Sequence, residues 1–189
     1  PNEDFTVEVT QGVTTQEEIW SIEPEINERP GYSAEWEEYD ILSMNSDLVV
    51  EPVYWANTYT ATFKNRVTNS VLGTTTFTVE DTELSSFPEL PTELGYTYAW
   101  ESYQIQPNDM TVWCDREANI HTLKFFEDSA KTNQVGETIN FTCETDPSSI
   151  DEPEVPFHEG FEGRWPEYDL TLDLDLEVVA IYELHQYYL

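Results

Sequence analysis

Internal repetition constrains this chain more than any other feature. Pro24-Glu25-Ile26, Pro88-Glu89-Leu90 and Pro153-Glu154-Val155 are spaced by 64 and 65 residues. Gly31, Gly95 and Gly160 keep those intervals, as do Trp36, Trp100 and Trp165, and Tyr39, Tyr103 and Tyr168. Downstream the agreement resumes: Asp47 to Tyr54 aligns with Asp109 to Arg116 and with Asp175 to Tyr182. A fixed period of this size is the signature of supersecondary units repeated along a chain. Three copies are expected, over residues 1–57, 58–119 and 120–189. The last range closes on Tyr187-Tyr188-Leu189, which reads as the start of a fourth copy or as a closing strand. Copy one is irregular, and Phe5 to Val9 is either its first strand with a short hairpin or its second strand with an insertion.

Within a unit the pattern is mostly β. Tyr59 to Phe63 places ring, Ala and Phe on one side and Thr on the other, the alternation of a half-buried strand. A polar turn through residues 65–70 leads to a second strand, Thr74 to Val79. Residues 80–93 hold Leu84 and Phe87 before Pro88 and Pro91, which predicts a short helical turn or irregular crossover, since proline ends helices. Tyr96 to Tyr103 and Met110 to Trp113 are the next two expected strands. The order β-β-crossover-β-β predicts a strand-dominated α+β or all-β roll. A unit of about 64 residues buries a modest fraction of its surface, so the recurring Gly, Trp and Tyr are expected to supply most of its core.

Composition narrows the function. The 189 residues include 39 acids against 7 Lys and Arg, a formal charge of -32, yet 14% are aromatic. Acidic chains poor in rings are disordered, whereas rings of this number can anchor small cores. Seven cations cannot neutralise a phosphate backbone, which argues against nucleic-acid binding. Anionic lipid would repel the same surface, and no run reaches the ~18 apolar residues of a span. The opening Pro1-Asn2-Glu3-Asp4 carries no signal segment, so the chain reads as an excerpt of a longer protein.

The units resemble the internalin-type B repeat, or Listeria–Bacteroides repeat, of bacterial surface proteins. The likeness rests on Pro88-x-x-Pro91 before Gly95-Tyr96, on the Trp five residues after that Gly, and on the strand Pro107 to Trp113. Tyr59 to Phe63 and Phe77 to Asp81 resemble its opening strands. The triplet Gly-Trp-Tyr usual there is here Ala34-Glu35-Trp36, Tyr98-Ala99-Trp100 and Gly163-Arg164-Trp165, and Arg116 replaces the closing Tyr of copy two. The resemblance implies tandem β-grasp-like modules in an elongated array. It also implies a secreted or wall-attached bacterial protein acting as spacer, stalk or adhesin. Specific recognition of a glycan or host protein is the alternative, followed by an accessory region of a large extracellular enzyme. Monomers are expected.

Candidate chemistry is sparse. There is no Gly-x-Ser-x-Gly, no His-Glu-x-x-His and no glycine-rich phosphate loop, so neither catalysis nor a cofactor is expected. The runs Glu17-Glu18, Glu37-Glu38 and Asp151-Glu152 read as solvated faces. From Asp169 to Glu177, Leu alternates with acid, which predicts a strand with leucines inward and Asp169, Asp173, Asp175 and Glu177 sharing the outer face. Such a face supplies oxygen ligands for Ca²⁺, but strand geometry splays them ~7 Å apart. Charge that discourages edge pairing is therefore the preferred reading. Trp36, Trp100 and Trp165 read as core. Trp20, Trp55 and Trp113 lack counterparts and are the candidate binding aromatics, with Trp55 also suited to packing between copies. Cys114 and Cys143 fit no zinc spacing. They read as buried free thiols, with a bridge between copies as the alternative.

Overall fold

The computed structural model describes residues 6–10, 12–41 and 46–184. Strand accounts for 37% and helix for 5%, so the chain is strand-dominated. The strands are β1 Tyr32–Trp36, β2 Pro52–Ala56, β3 Tyr59–Asn65, β4 Val71–Phe77, β5 Tyr96–Trp100, β6 Met110–Ala118, β7 His121–Phe126, β8 Gln134–Phe141, β9 Phe161–Arg164, β10 Leu176–Val179 and β11 Ile181–Leu184. The single α-helix among the described residues is α1, Gln16–Trp20. The chain divides into two compact units, one of Pro1–Lys64, Val71–Pro88 and Ser102–Val112, the other of Asn65–Ser70, Glu89–Glu101 and Trp113–Leu189.

In the first unit β1 pairs antiparallel with β2, Tyr32 opposite Ala56 and Trp36 opposite Pro52. β3 pairs antiparallel with β4, Tyr59 opposite Phe77. Along β3 the inward positions Ala61 and Phe63 are fully buried while Thr60 and Thr62 are not, the period-two burial that the sequence pattern demands. Phe63 meets Phe87 at a tilt with ring centroids 4.9 Å apart, and Phe87 lies 5.9 Å from Tyr103. Leu84 is buried beside them and its N–H donates to the Tyr103 hydroxyl at 3.0 Å. The crossover therefore fixes itself by burying side chains rather than by forming a helix.

In the second unit β7 is the middle strand of β10-β7-β8, antiparallel to β8 and parallel to β10, with Leu176 opposite Leu123. Leu123, Phe125, Phe141, Leu170 and Val178 form its core. Phe125 meets Trp165 at 4.8 Å and the edge of Tyr168 at 5.8 Å. Two further strand pairings are antiparallel, β5 with β6 and β9 with β11. The buried Asn65 is satisfied: its Oδ1 accepts N–H groups from Val67 and Thr68, which closes the 65–70 turn. Burying a polar amide this way costs little because its hydrogen bonds are replaced.

Several expectations need correction. β5 stops at Trp100 rather than running to Tyr103, and β6 continues to Ala118 because it has β5 to pair with. Residues 6–9 form no strand, and Phe5 lies outside the described residues, as do Tyr187 to Leu189. The run from Asp169 to Glu177 is not a strand until Leu176. Asp169 accepts hydrogen bonds from the Thr171 N–H and hydroxyl at 2.9 and 2.7 Å. That Asx-type turn replaces the ladder. Leu170 is buried, but Leu172 and Leu174 are 42% and 49% exposed rather than inward.

Each Trp-bearing hairpin is opened by a glycine in the left-handed region, Gly31, Gly95 and Gly160 at φ +84°, +81° and +83°. Their first strands begin one residue later. The Gly31 carbonyl accepts from Asn57 N–H at 2.8 Å, and the Gly95 carbonyl from Asn119 N–H at 2.8 Å. A Cβ on Gly31 would fall on Val79 Cγ1, and one on Gly95 would lie 2.9 Å from Cys143 Sγ. The next residue repeats too, since the Tyr32 hydroxyl donates to Glu80 and the Tyr96 hydroxyl to Glu144. At Gly160, by contrast, no atom of the described residues comes within 4 Å of such a Cβ.

This contrast separates backbone strain from packing. Gly160→Ala should cost about 1–2 kcal/mol, the penalty of a left-handed Cβ. Gly31→Ala should add an overpacking penalty of about 1–3 kcal/mol against Val79. Urea denaturation should therefore rank Gly31→Ala below Gly160→Ala in stability. Equal losses would show that the glycine–valine contact carries no energy of its own.

Candidate functional site

The four acids considered for calcium are each engaged by protein donors. Asp173 Oδ1 lies 2.7 Å from His121 Nε2 and accepts from Asn119 Nδ2 at 2.9 Å, and these two bonds hold its carboxyl below the usual range, the amide first. Asp175 accepts the Thr122 N–H at 2.8 Å, also lowering its carboxyl. Glu177 pairs with Lys131 at 2.5 Å, and Asp169 closes the turn described above. No group of three or more His, Cys, Asp or Glu side chains that could hold a metal ion occurs among the described residues.

The three candidate tryptophans separate by environment. Trp113 is half-buried, with the Arg66 guanidinium 5.2 Å from its ring. Arg66 is itself held by Asp115 and by Glu101 at 2.5 Å, so this ring belongs to a cation–π and ion-pair cluster. Trp55 lies on β2 opposite Ser33 and is 45% exposed. Trp20 is the most exposed of the three, at 57%, on the last turn of α1. Of the repeated tryptophans, Trp36 and Trp165 are half-buried, with indole N–H groups donating to the Pro24 and Pro153 carbonyls at 3.3 and 2.7 Å. Both thiols are free: Cys114 is buried and Cys143 is half-buried, its Sγ 3.5 Å from the Gly95 carbonyl.

Trp20 borders a cleft of about 690 Å³ in the first unit, together with Trp36, Tyr39 and Ile26. The rest of its lining is acidic: Glu23, Glu35, Glu37, Glu38 and Asp40. The helix that presents Trp20 is short and is fixed at its start by a capping box. Thr15 Oγ1 accepts the Glu18 N–H, and the Glu18 carboxylate accepts the Thr15 N–H. Such a reciprocal cap compensates for a length at which helices are marginal. Inside, Ile19 is buried, and Gln16 Oε1 accepts the Ile41 N–H at 3.1 Å, tying α1 to the chain beyond Tyr39. Glu18, read from the sequence as part of a solvated face, is thus a capping residue, and Glu37 and Glu38 line the cleft.

Within the cleft lining the Tyr39 hydroxyl donates to Glu23 at 2.5 Å. Burial, then that hydrogen bond and the carboxylate charge, push the Tyr39 phenol up to about 12. Tyr168 makes the matching bond to Glu152 at 2.7 Å and is raised for the same reasons. Chemically the cleft offers carboxylate acceptors and aromatic faces, with no Lys or Arg in its lining. The chain matches no protein-family model, and no curated protein matches it.

The Tyr39–Glu23 bond has a pH signature. A phenol raised in the folded state contributes stability that is fully present below its ordinary value of ~10. That contribution is lost as pH rises toward about 12. Following tyrosinate absorbance in the native chain and in Tyr39→Phe should show the variant lacking one step near the top of the range. A missing step near the ordinary tyrosine value would contradict the bond.

Proposed function

We propose that this chain is a tandem-repeat region of a secreted or cell-surface bacterial protein, built from β-grasp-like units of the internalin-type B-repeat kind. Its work is mechanical: it spaces or extends a functional part from the surface and adds adhesive contacts of low affinity. The reading is supported by one observation above all. The contact between Gly31 and Val79, with Tyr32 bonded to Glu80, recurs as Gly95 on Cys143 with Tyr96 bonded to Glu144. Those residues lie 64 positions apart in every case. Joining one sequence repeat to the next by the same few side chains is how an array gains stability from its neighbours. It suits a part whose task is length.

The acidity fits this role. A surface carrying -32 keeps neighbouring chains apart and soluble. A monomeric strut needs no more from its exterior. None of the described helices is long and apolar enough to cross a membrane.

Small-angle scattering tests the proposal. An array of the three repeats read from the sequence should give a radius of gyration well above the ~16 Å of a compact domain of this length. A value near the compact figure would end the spacer reading.

A further inference from the structure

We infer that the acidic cleft of the first unit is a binding site for the guanidinium or ammonium side chains of a basic peptide segment. This does not depend on the spacer reading, because it needs only the residues between Trp20 and Asp40. The cleft is an open depression of about 690 Å³, wide enough for one or two extended side chains to lie against its rings and carboxylates. A cleft lined by one sign of charge focuses its field inward and raises the local concentration of the opposite charge.

Repeat comparison shows what is special to this copy. Acids stand at Glu35, Glu37, Glu38 and Asp40, all lining the cleft. The matching positions in copy two are Ala99, Glu101, Ser102 and Gln104, and in copy three Arg164, Pro166, Glu167 and Asp169. In copy two the one acid is already held by Arg66, and in copy three Arg164 pairs with Glu183 at 3.1 Å. The scaffold is shared, but only copy one turns an all-acidic edge toward two tryptophans.

The geometry selects cations over sugars. Trp20 is exposed at the rim, while Trp36 is held in orientation by its bond to the Pro24 carbonyl. A planar guanidinium can stack on such rings while its forked N–H groups reach carboxylates. A neutral sugar could hydrogen-bond to these carboxylates but gains nothing from their charge, whereas a guanidinium or ammonium is attracted by all five with no Lys or Arg in the lining to compensate.

The test is an NMR titration of the whole 189-residue chain with a blocked Gly-Arg-Gly-Arg-Gly peptide. Ionic strength of about 0.15 M keeps long-range attraction to the acidic surface screened. The indole N–H signals of Trp20 and Trp36 should shift, and those of Trp100 and Trp165 should not. Trp20→Ala should weaken binding about tenfold, the scale of a lost cation–π contact. The triple variant Glu35→Gln, Glu37→Gln, Glu38→Gln should weaken it at least as much. Glu159→Gln, Glu162→Gln, Glu167→Gln removes the same charge elsewhere and should leave affinity within about twofold. All six mutated acids are exposed, so neither triple variant disturbs a core. Uniform shifts across all tryptophans, equal losses in the two triple variants, unchanged affinity in Trp20→Ala, or no response at all would each overturn the inference. So would shifts of Trp20 and Trp36 on adding cellohexaose that the peptide does not produce.

Discussion

At Gly31 and Gly95 the backbone turns left-handed, a conformation that a Cβ resists, and the bare Cα faces the side chain of Val79 or Cys143. Much of the hairpin's placement follows from that requirement. The glycine carbonyl is aimed at the N–H of Asn57 or Asn119, just past the partner strand. The Asn side chain then accepts from Ser33 or Thr97 across the hairpin, at 2.6 and 2.7 Å. The aromatic residue that follows is delivered to Glu80 or Glu144. One residue type thus sets a strand start, a strand end and a neighbour contact together.

A chain with 39 acids and 7 Lys and Arg cannot satisfy its carboxylates with ion pairs. Tyrosine takes over much of that work. Tyr32, Tyr39, Tyr96, Tyr98 and Tyr168 donate their hydroxyls to Glu80, Glu23, Glu144, Glu93 and Glu152. A phenol is a neutral donor on an apolar ring, so it can pack and satisfy a carboxylate with one side chain. The reciprocal effect is visible in Glu93, whose carboxyl is held low by Tyr98 first and by Arg116 next. The cations are used twice over. Arg116 binds both Glu93 oxygens at 2.6 and 2.7 Å while stacking at 3.9 Å on Tyr96. Arg116 stands where the other copies have Tyr54 and Tyr182, and the lost ring is replaced by a guanidinium lying on Tyr96.

The strands starting at Tyr96 and Met110 were legible in the sequence, though their ends and pairing were not, because the determinants of a strand start are local. A glycine followed by an aromatic, with Trp and Tyr at fixed distance, specifies a turn and an inward face within nine residues. The Asp-Leu run from 169 to 177 misled for a physical reason. Alternation describes a strand only where a ladder partner exists, and Asp169 offers the backbone a turn bond instead. Trp20 stood out by having no counterpart, but its cleft did not. The helix that carries it has five residues, too few for hydrophobic periodicity to register. The Thr15-x-x-Glu18 capping box was the signal that could have found it.

The stretch from Trp20 to Asp40 shows how a recurring sequence motif acquires individuality without losing its frame. Trp36 keeps the proline-carbonyl bond that Trp165 makes, and Tyr39 keeps the Glu bond that Tyr168 makes. These interactions fix the hairpin, so neither ring is free to vary. The positions between them face outward and carry no such duty. Substituting them changes charge at little cost in stability, since exposed side chains away from caps and cores contribute within about half a kcal/mol each. The added helix brings one more ring to the same edge. A frame set by glycine, tryptophan and tyrosine therefore leaves the surface of each unit open to change one side chain at a time.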